Sequence, residues 1–141
     1  MANKTKNQGR KKKYIYAVGR RKKAVATVRF FEGKGDWMVN GMSIDKYFPG
    51  LVSEYFYKKP LSLSESEGKF HGVIRIVGGG KASQLEAVML VISRALDKYN
   101  GPVYRPILKK AGLLTVDARV RERRKAGQMG KARKKKQSPK R

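Results

Sequence analysis

The stretch VGGGKAS at positions 77–83 has the ingredients of a phosphate-binding loop: glycines that let backbone approach an anion, then a lysine at a helix start. Nucleotide hydrolysis asks for more. That loop needs a glycine five residues before the Gly80-Lys81 pair and a hydroxyl after the lysine, and Arg75 and Ala82 hold those positions. What remains for Gly79, Gly80 and Lys81 is a strand-to-helix turn needing positive φ, a phosphate contact, or both. His71 is the single histidine, and cysteine is absent. A metal cage or a nucleophile–histidine pair needs more of these side chains, so His71 reads as a packed or solvated strand residue. The sequence therefore predicts no enzyme, no metal, no cofactor and no small-molecule substrate.

The remaining chemistry is cationic. The net charge is +25 over 141 residues, and its distribution is uneven. Residues 1–23 carry +10, residues 24–108 carry +3, and residues 109–141 carry +12. A nearly balanced middle is flanked by strongly basic ends, a pattern that opposes compaction and is relieved by a polyanion. Arg20, Arg21, Lys22 and Lys23 stand directly before a β-branched run. Such a run is ordinarily a solvated face; beside the basic N-terminus it reads as a phosphate contact, with arginine suited to two-pronged bonds. From 119 to 141 there are 12 Lys or Arg and one acid, with no apolar face for a membrane surface. Ordering such an arm costs about 1–2 kcal/mol per residue in backbone entropy. A phosphate surface on several sides can offset that, which favours a large folded RNA. A DNA-binding architectural protein with basic tails is the alternative.

The elements that must position these groups come next. AVATVRFF at 24–31 alternates as a strand, EGKGD is a turn, and WMVNG reads as a second strand paired with the first and ending at Asn40-Gly41. SIDKYFPG and LVSEYFYKKP suggest short helices ended near Pro49 and by Pro60. FHGVIRIVGGG is a strand bounded by glycines. Leu85, Val88, Met89, Ile92, Ala95, Leu96 and Tyr99 define one apolar face of a helix over 83–99, with Ser83 and Glu86 as a capping box. A further helix is expected over RPILKKAG, closed by Gly112, and Val116 and Val120 are the last candidate apolar anchors. The boundaries predicted are a basic extension at 1–13, a globular α/β domain at 14–115 and an extended basic tail at 116–141. No run is apolar enough to span a membrane, and the N-terminus lacks the apolar stretch of a secretory signal, so one compartment is expected.

Taken in order, these pieces resemble the bacterial-type small-subunit ribosomal protein nine family from Tyr14 to Arg141. The resemblance rests on GRRKKAVATVRFFEGKGDWMVNG, YFPG, Pro60-Leu61, FHGVIRIVGGG with Gln84, SRAL, LKKAGLLT, Asp117, Arg119, ERRK and KARKKKQSPKR. Val116 and Ala118 depart from the usual Arg and Pro, and Ser138-Pro139 from the usual Phe-Ser. The resemblance implies an α+β fold: a four-stranded sheet with helices packed on one side, a left-handed βαβ crossover like that of small-subunit protein five's second domain, and a basic C-terminal tail. It implies a structural, cytoplasmic place in the head of the small ribosomal subunit, an organellar ribosome being the alternative, with neighbouring head proteins as partners.

The same resemblance implies ribosomal-RNA contacts from the basic residues. At the N-terminal side these are Arg10, Lys11, Lys12 and Lys13, then Arg20, Arg21, Lys22 and Lys23. In the domain they are Gly79, Gly80 and Lys81, with Lys109 and Lys110. Along the tail they are Arg119, Arg121, Arg123, Arg124 and Lys125, then Lys131, Arg133, Lys134, Lys135 and Lys136. Lys140 and Arg141, at the tip, are implied to reach the peptidyl-site tRNA.

Overall fold

Alternation makes the sheet. In the strand Ala24–Glu32 the residues Ala24, Ala26, Val28 and Phe30 are buried, while the side chains between them lie half-buried or exposed. Phe70–Val77 repeats the pattern with Phe70, Gly72, Ile74 and Ile76 inside. Period-two burial needs a covered face and an open one. The structure, a computed structural model, describes residues 14–134. Its elements run β1 (Ile15–Arg21), β2 (Ala24–Glu32), β3 (Met38–Val39), β4 (Met42–Ser43), α1 (Ile44–Tyr47), α2 (Leu51–Leu63), β5 (Phe70–Val77), α3 (Lys81–Tyr99) and α4 (Gly101–Lys110).

The architecture is α+β, with a mixed sheet of five strands in the order β1-β2-β5-β3-β4. The four strands expected become five, and the expected pairing of β2 with WMVNG does not form. β2 instead lies between β1 and β5, antiparallel to both. β3 runs parallel to β5, with Met38 opposite Val73 and Val39 opposite Ile74. A long strand such as β5 offers β2 a full ladder; β3 offers two residues. Where β3 stops, Asn40 extends the ladder: its amide donates to the Ile76 carbonyl at 3.1 Å and accepts from the Ile76 N–H at 2.9 Å.

Helix α3 is the spine of the core. It packs on β1 and β2 and is flanked by α2 and α4. Ala87, Leu90, Val91 and Ser93 are buried beside the expected Val88, Ile92, Ala95 and Leu96, so it is enclosed on more than one side. Full burial of each large apolar side chain here contributes about 1.5–3 kcal/mol. β1 and α3 meet at backbone distance because Gly19 has no side chain: a Cβ there would lie 2.5 Å from the Ala87 carbonyl oxygen. α3 also protects the sheet edge, Arg94 donating to the Val18 carbonyl at 2.7 Å and Lys98 to that of Tyr16 at 2.8 Å.

Two further expectations change. α2 does not end at Pro60 but runs to Leu63, with Pro60 and Leu61 buried. Pro60 forfeits one backbone hydrogen bond within the helix, and its ring is packed in the core. The capping box at Ser83 and Glu86 is absent: α3 starts at Lys81 behind Gly80 without a side-chain cap, and Glu86 is engaged elsewhere.

Candidate nucleic-acid interface

The two basic motifs that lie far apart in sequence meet in space. β1 and β2 form a hairpin whose last paired residues are Arg21 and Ala24, leaving Lys22 and Lys23 as the turn, with Lys22 at φ 52°. The turn leaving β5 folds directly against it. A Cβ on Gly78 would stand 2.5 Å from the Lys23 carbonyl oxygen, and one on Gly79 would stand 2.9 Å from the Ala24 Cβ, both residues having positive φ. Gly78 and Gly79 are thus required by a close approach as well as by backbone conformation. The outcome is a cluster of exposed Arg20, Lys22 and Lys23 beside the exposed, uncapped start of α3, with no acid in that helix's first turn. Its free amides and its dipole favour anions.

Not every cation there is at liberty. Arg21 is mostly buried, its side chain 11% exposed, and its guanidinium is 2.5 Å from Glu86 and 3.3 Å from Asp117. It also donates to the Arg119 carbonyl at 2.7 Å. Lys81 turns back toward α1, its Nζ 3.4 Å above the Tyr47 ring centroid and 3.2 Å from the Tyr47 carbonyl oxygen. Gln84 completes this corner, accepting from the Tyr47 hydroxyl at 3.0 Å and donating to the Gly78 carbonyl at 3.1 Å. The part played by Glu86 and Asp117 is not visible in the sequence, since they lie 65 and 96 residues from Arg21 and belong to no shared motif.

After α4 the chain is anchored by Leu108 and Leu113, both buried, with the Leu113 N–H returning to the Leu108 carbonyl. Val116 and Val120 are exposed, so the expected apolar anchors are replaced by a polar one. Asp117 accepts from the Arg119 N–H at 3.0 Å and from its guanidinium at 2.7 Å. These bonds from Arg119, with Arg21 nearby, hold the Asp117 carboxyl well below the usual range. Residues 116–134 contain no helix or strand. Within them the Lys131 N–H bonds the Gln128 carbonyl, the Lys125 N–H bonds the Lys131 carbonyl, and Arg133 pairs with Glu122 at 2.5 Å. Arg133 lowers the pKa of Glu122. Arg121, Arg123, Arg124 and Lys134 are exposed. Lys109 and Lys110 end α4, Lys109 lining a groove with Arg94, Asp97 and Arg105. Arg10, Lys11, Lys12, Lys13, Lys135, Lys136, Lys140 and Arg141 lie outside the described residues.

The other end of β5 is mixed in charge, with Lys34, Lys58 and Lys69 near its acids. Asp36, Asp45 and Glu67 line a cleft of about 310 Å³ with Trp37, Tyr57 and Phe70. Asp45 accepts from the Tyr57 hydroxyl, and burial followed by that bond raises the phenol's pKa above its ordinary value. His71 stacks on Phe31 at 5.4 Å and its Nδ1 lies 2.9 Å from the Gly33 carbonyl oxygen, a packed strand residue as expected. No three His, Cys, Asp or Glu side chains converge as a metal site among the described residues.

By architecture and charge this is a small basic α+β domain with its cations gathered around one hairpin and one following segment. The chain belongs to the ribosomal protein S9/S16 family, whose sequence profile matches residues 19–141. It is similar to the small ribosomal subunit protein uS9 of Cutibacterium acnes, 46% identical over 125 residues that cover 89% of this chain and 72% of that protein. The uS9 of Methylacidiphilum infernorum is 49% identical over 116 residues, 82% of this chain and 85% of its own length. That of Maridesulfovibrio salexigens is 48% identical over 119 residues, 84% and 91% of the two chains. The role is accordingly structural and non-enzymatic, in the small ribosomal subunit and in translation.

Proposed function

We propose that this chain binds small-subunit ribosomal RNA through the hairpin cluster of Arg20, Lys22 and Lys23, together with the Gly79-Gly80 turn. The observation that carries this reading is the convergence of that hairpin with the uncapped start of α3, two anion-favouring elements built from separate parts of the chain. Arg21 braces the cluster and the following segment. Lys109 and Lys110, then Arg119, Arg121, Arg123, Arg124, Lys125, Lys131, Arg133 and Lys134, add phosphate contacts along the path of the tail. Arg10 to Lys13, with Lys135 and Lys136, belong to the same proposal from the basic ends.

Under this reading the globular domain at 14–115 seats the protein in the subunit head, beside neighbouring head proteins. The tail at 116–141 carries Lys140 and Arg141 to the peptidyl-site tRNA. The left-handed crossover implied by the resemblance falls on the connection from β3 through α1 and α2 to β5. The test is substitution of Arg20, Lys22 and Lys23 by Gln, followed by reconstitution with small-subunit RNA. Occupancy in purified subunits is expected to fall; unchanged occupancy at raised salt would remove the hairpin from the interface.

A further inference from the structure

The sheet face turned away from the helices carries no packed element among the described residues. Its central row places Tyr16 of β1, Arg29 of β2 and Val73 of β5 side by side. Tyr14, Tyr16 and Val73 are 49%, 52% and 46% exposed and lie on one face, next to Arg29. The aromatic rings form a connected group: Phe31 lies 5.9 Å from Tyr14 and stacks on His71, and the Arg29 guanidinium is 5.8 Å from the Tyr14 centroid. Arg75, opposite Thr27, adds a second exposed cation, and Arg20 a third at the hairpin end. The alternation of β1, β2 and β5 puts no Asp or Glu on this face.

Rings set among arginines, with no carboxylate to pair them, suit a ligand that has both flat apolar faces and negative charge. Nucleic-acid bases and phosphates supply both, and a duplex hides the bases. The geometry points to an unpaired stretch of RNA on this face, its bases stacking on Tyr16 and on the Tyr14–Phe31 group while Arg29 and Arg75 hold phosphates. This rests on the reading of the chain as a ribosomal-RNA binder and adds a second contact surface beyond the hairpin. A protein occupant would have to bury three arginines without acidic partners of this chain's own, which is costly.

The test uses the full-length chain and a short single-stranded RNA carrying 2-aminopurine, with an RNA hairpin of equal phosphate number as the competitor. Binding is expected to quench the fluorescent base, and Tyr14→Ala with Tyr16→Ala to abolish the quench and weaken the single strand about tenfold for each stacked base lost. Affinity for the hairpin is expected to stay within about threefold, because the basic ends still supply the electrostatic term. An equal quench in the variant overturns the stacking surface while leaving the hairpin reading intact. Replacing Lys22 and Lys23 alone by Gln is expected to weaken both RNAs alike while the quench at saturation stays that of the parent chain; a quench lost with those two lysines overturns a stacking surface distinct from the hairpin. A benzophenone amino acid at position 16, irradiated in assembled subunits, gives an independent readout that needs no destabilising change. An RNA adduct is expected; an adduct to another protein, or none, overturns the proposal.

Discussion

Arg21 and Gly19 sit two residues apart on β1 and do different work for the same reason, the closeness of β1 to α3. At Gly19 there is no room: alanine would press its methyl into the Ala87 carbonyl. Gly19→Ala is expected to destabilise the domain by about 1–3 kcal/mol, read as a lower urea midpoint at constant slope. At Arg21 the long side chain reaches past the helix start to join Glu86 and Asp117. Arg21→Gln should loosen residues 117–119, seen as faster amide exchange at Arg119 than in the parent chain. Asp117 gives a pH prediction of definite sign. Its folded pKa is depressed, so its contribution is present above the unfolded carboxylate range and is lost only as pH falls through the lower folded value. Protection of the Arg119 amide should therefore survive mild acid. Its loss at the ordinary carboxylate pKa would show that the Asp117–Arg119 bonds do not persist in solution.

At the scale of elements, legibility followed length and locality. β5 and α3 are long, periodic and glycine-bounded, and the sequence names both. β1 escaped because its inward residues are Ala17 and Gly19, too small to read as a strand face, and its end is hidden in a basic run. β3 lies inside the strand read over WMVNG, but its parallel pairing with β5 is a nonlocal fact no local pattern announces, and β4, two residues long, pairs with β3. The basic hairpin was visible as composition; its union with the glycine turn was not, since that depends on β2 and β5 being neighbours. Arg29 and Arg75 are legible as the arginines that alternate onto the uncovered face of β2 and β5. The union has a measurable sign. Replacing Lys22 and Lys23 by Gln should reduce the steepness of RNA affinity against salt by about one unit for each phosphate contact removed. An unchanged slope would mean that those lysines face solvent in the complex.

For the whole molecule, the proposed reading gives the tail and the domain separable contributions. Deleting Lys140 and Arg141 removes 2 of the 35 Lys and Arg, so assembly should proceed while protection of peptidyl-site tRNA in chemical footprints weakens. Identical footprints from intact and shortened chains would detach the tip from tRNA. The basic excess is unevenly placed. Asp36 and Glu67 lie by the beginning of β5 with Lys34, Lys58 and Lys69 near them, whereas the exposed Lys22–Lys23 turn packs against its end, about 20 Å away along the strand. A body polarised in this way feels a torque in the field of a phosphate-rich surface before any atom touches. Under the proposed RNA reading it arrives already facing the right way, and the rate of productive encounter, more than the strength of the final embrace, is where that arrangement shows.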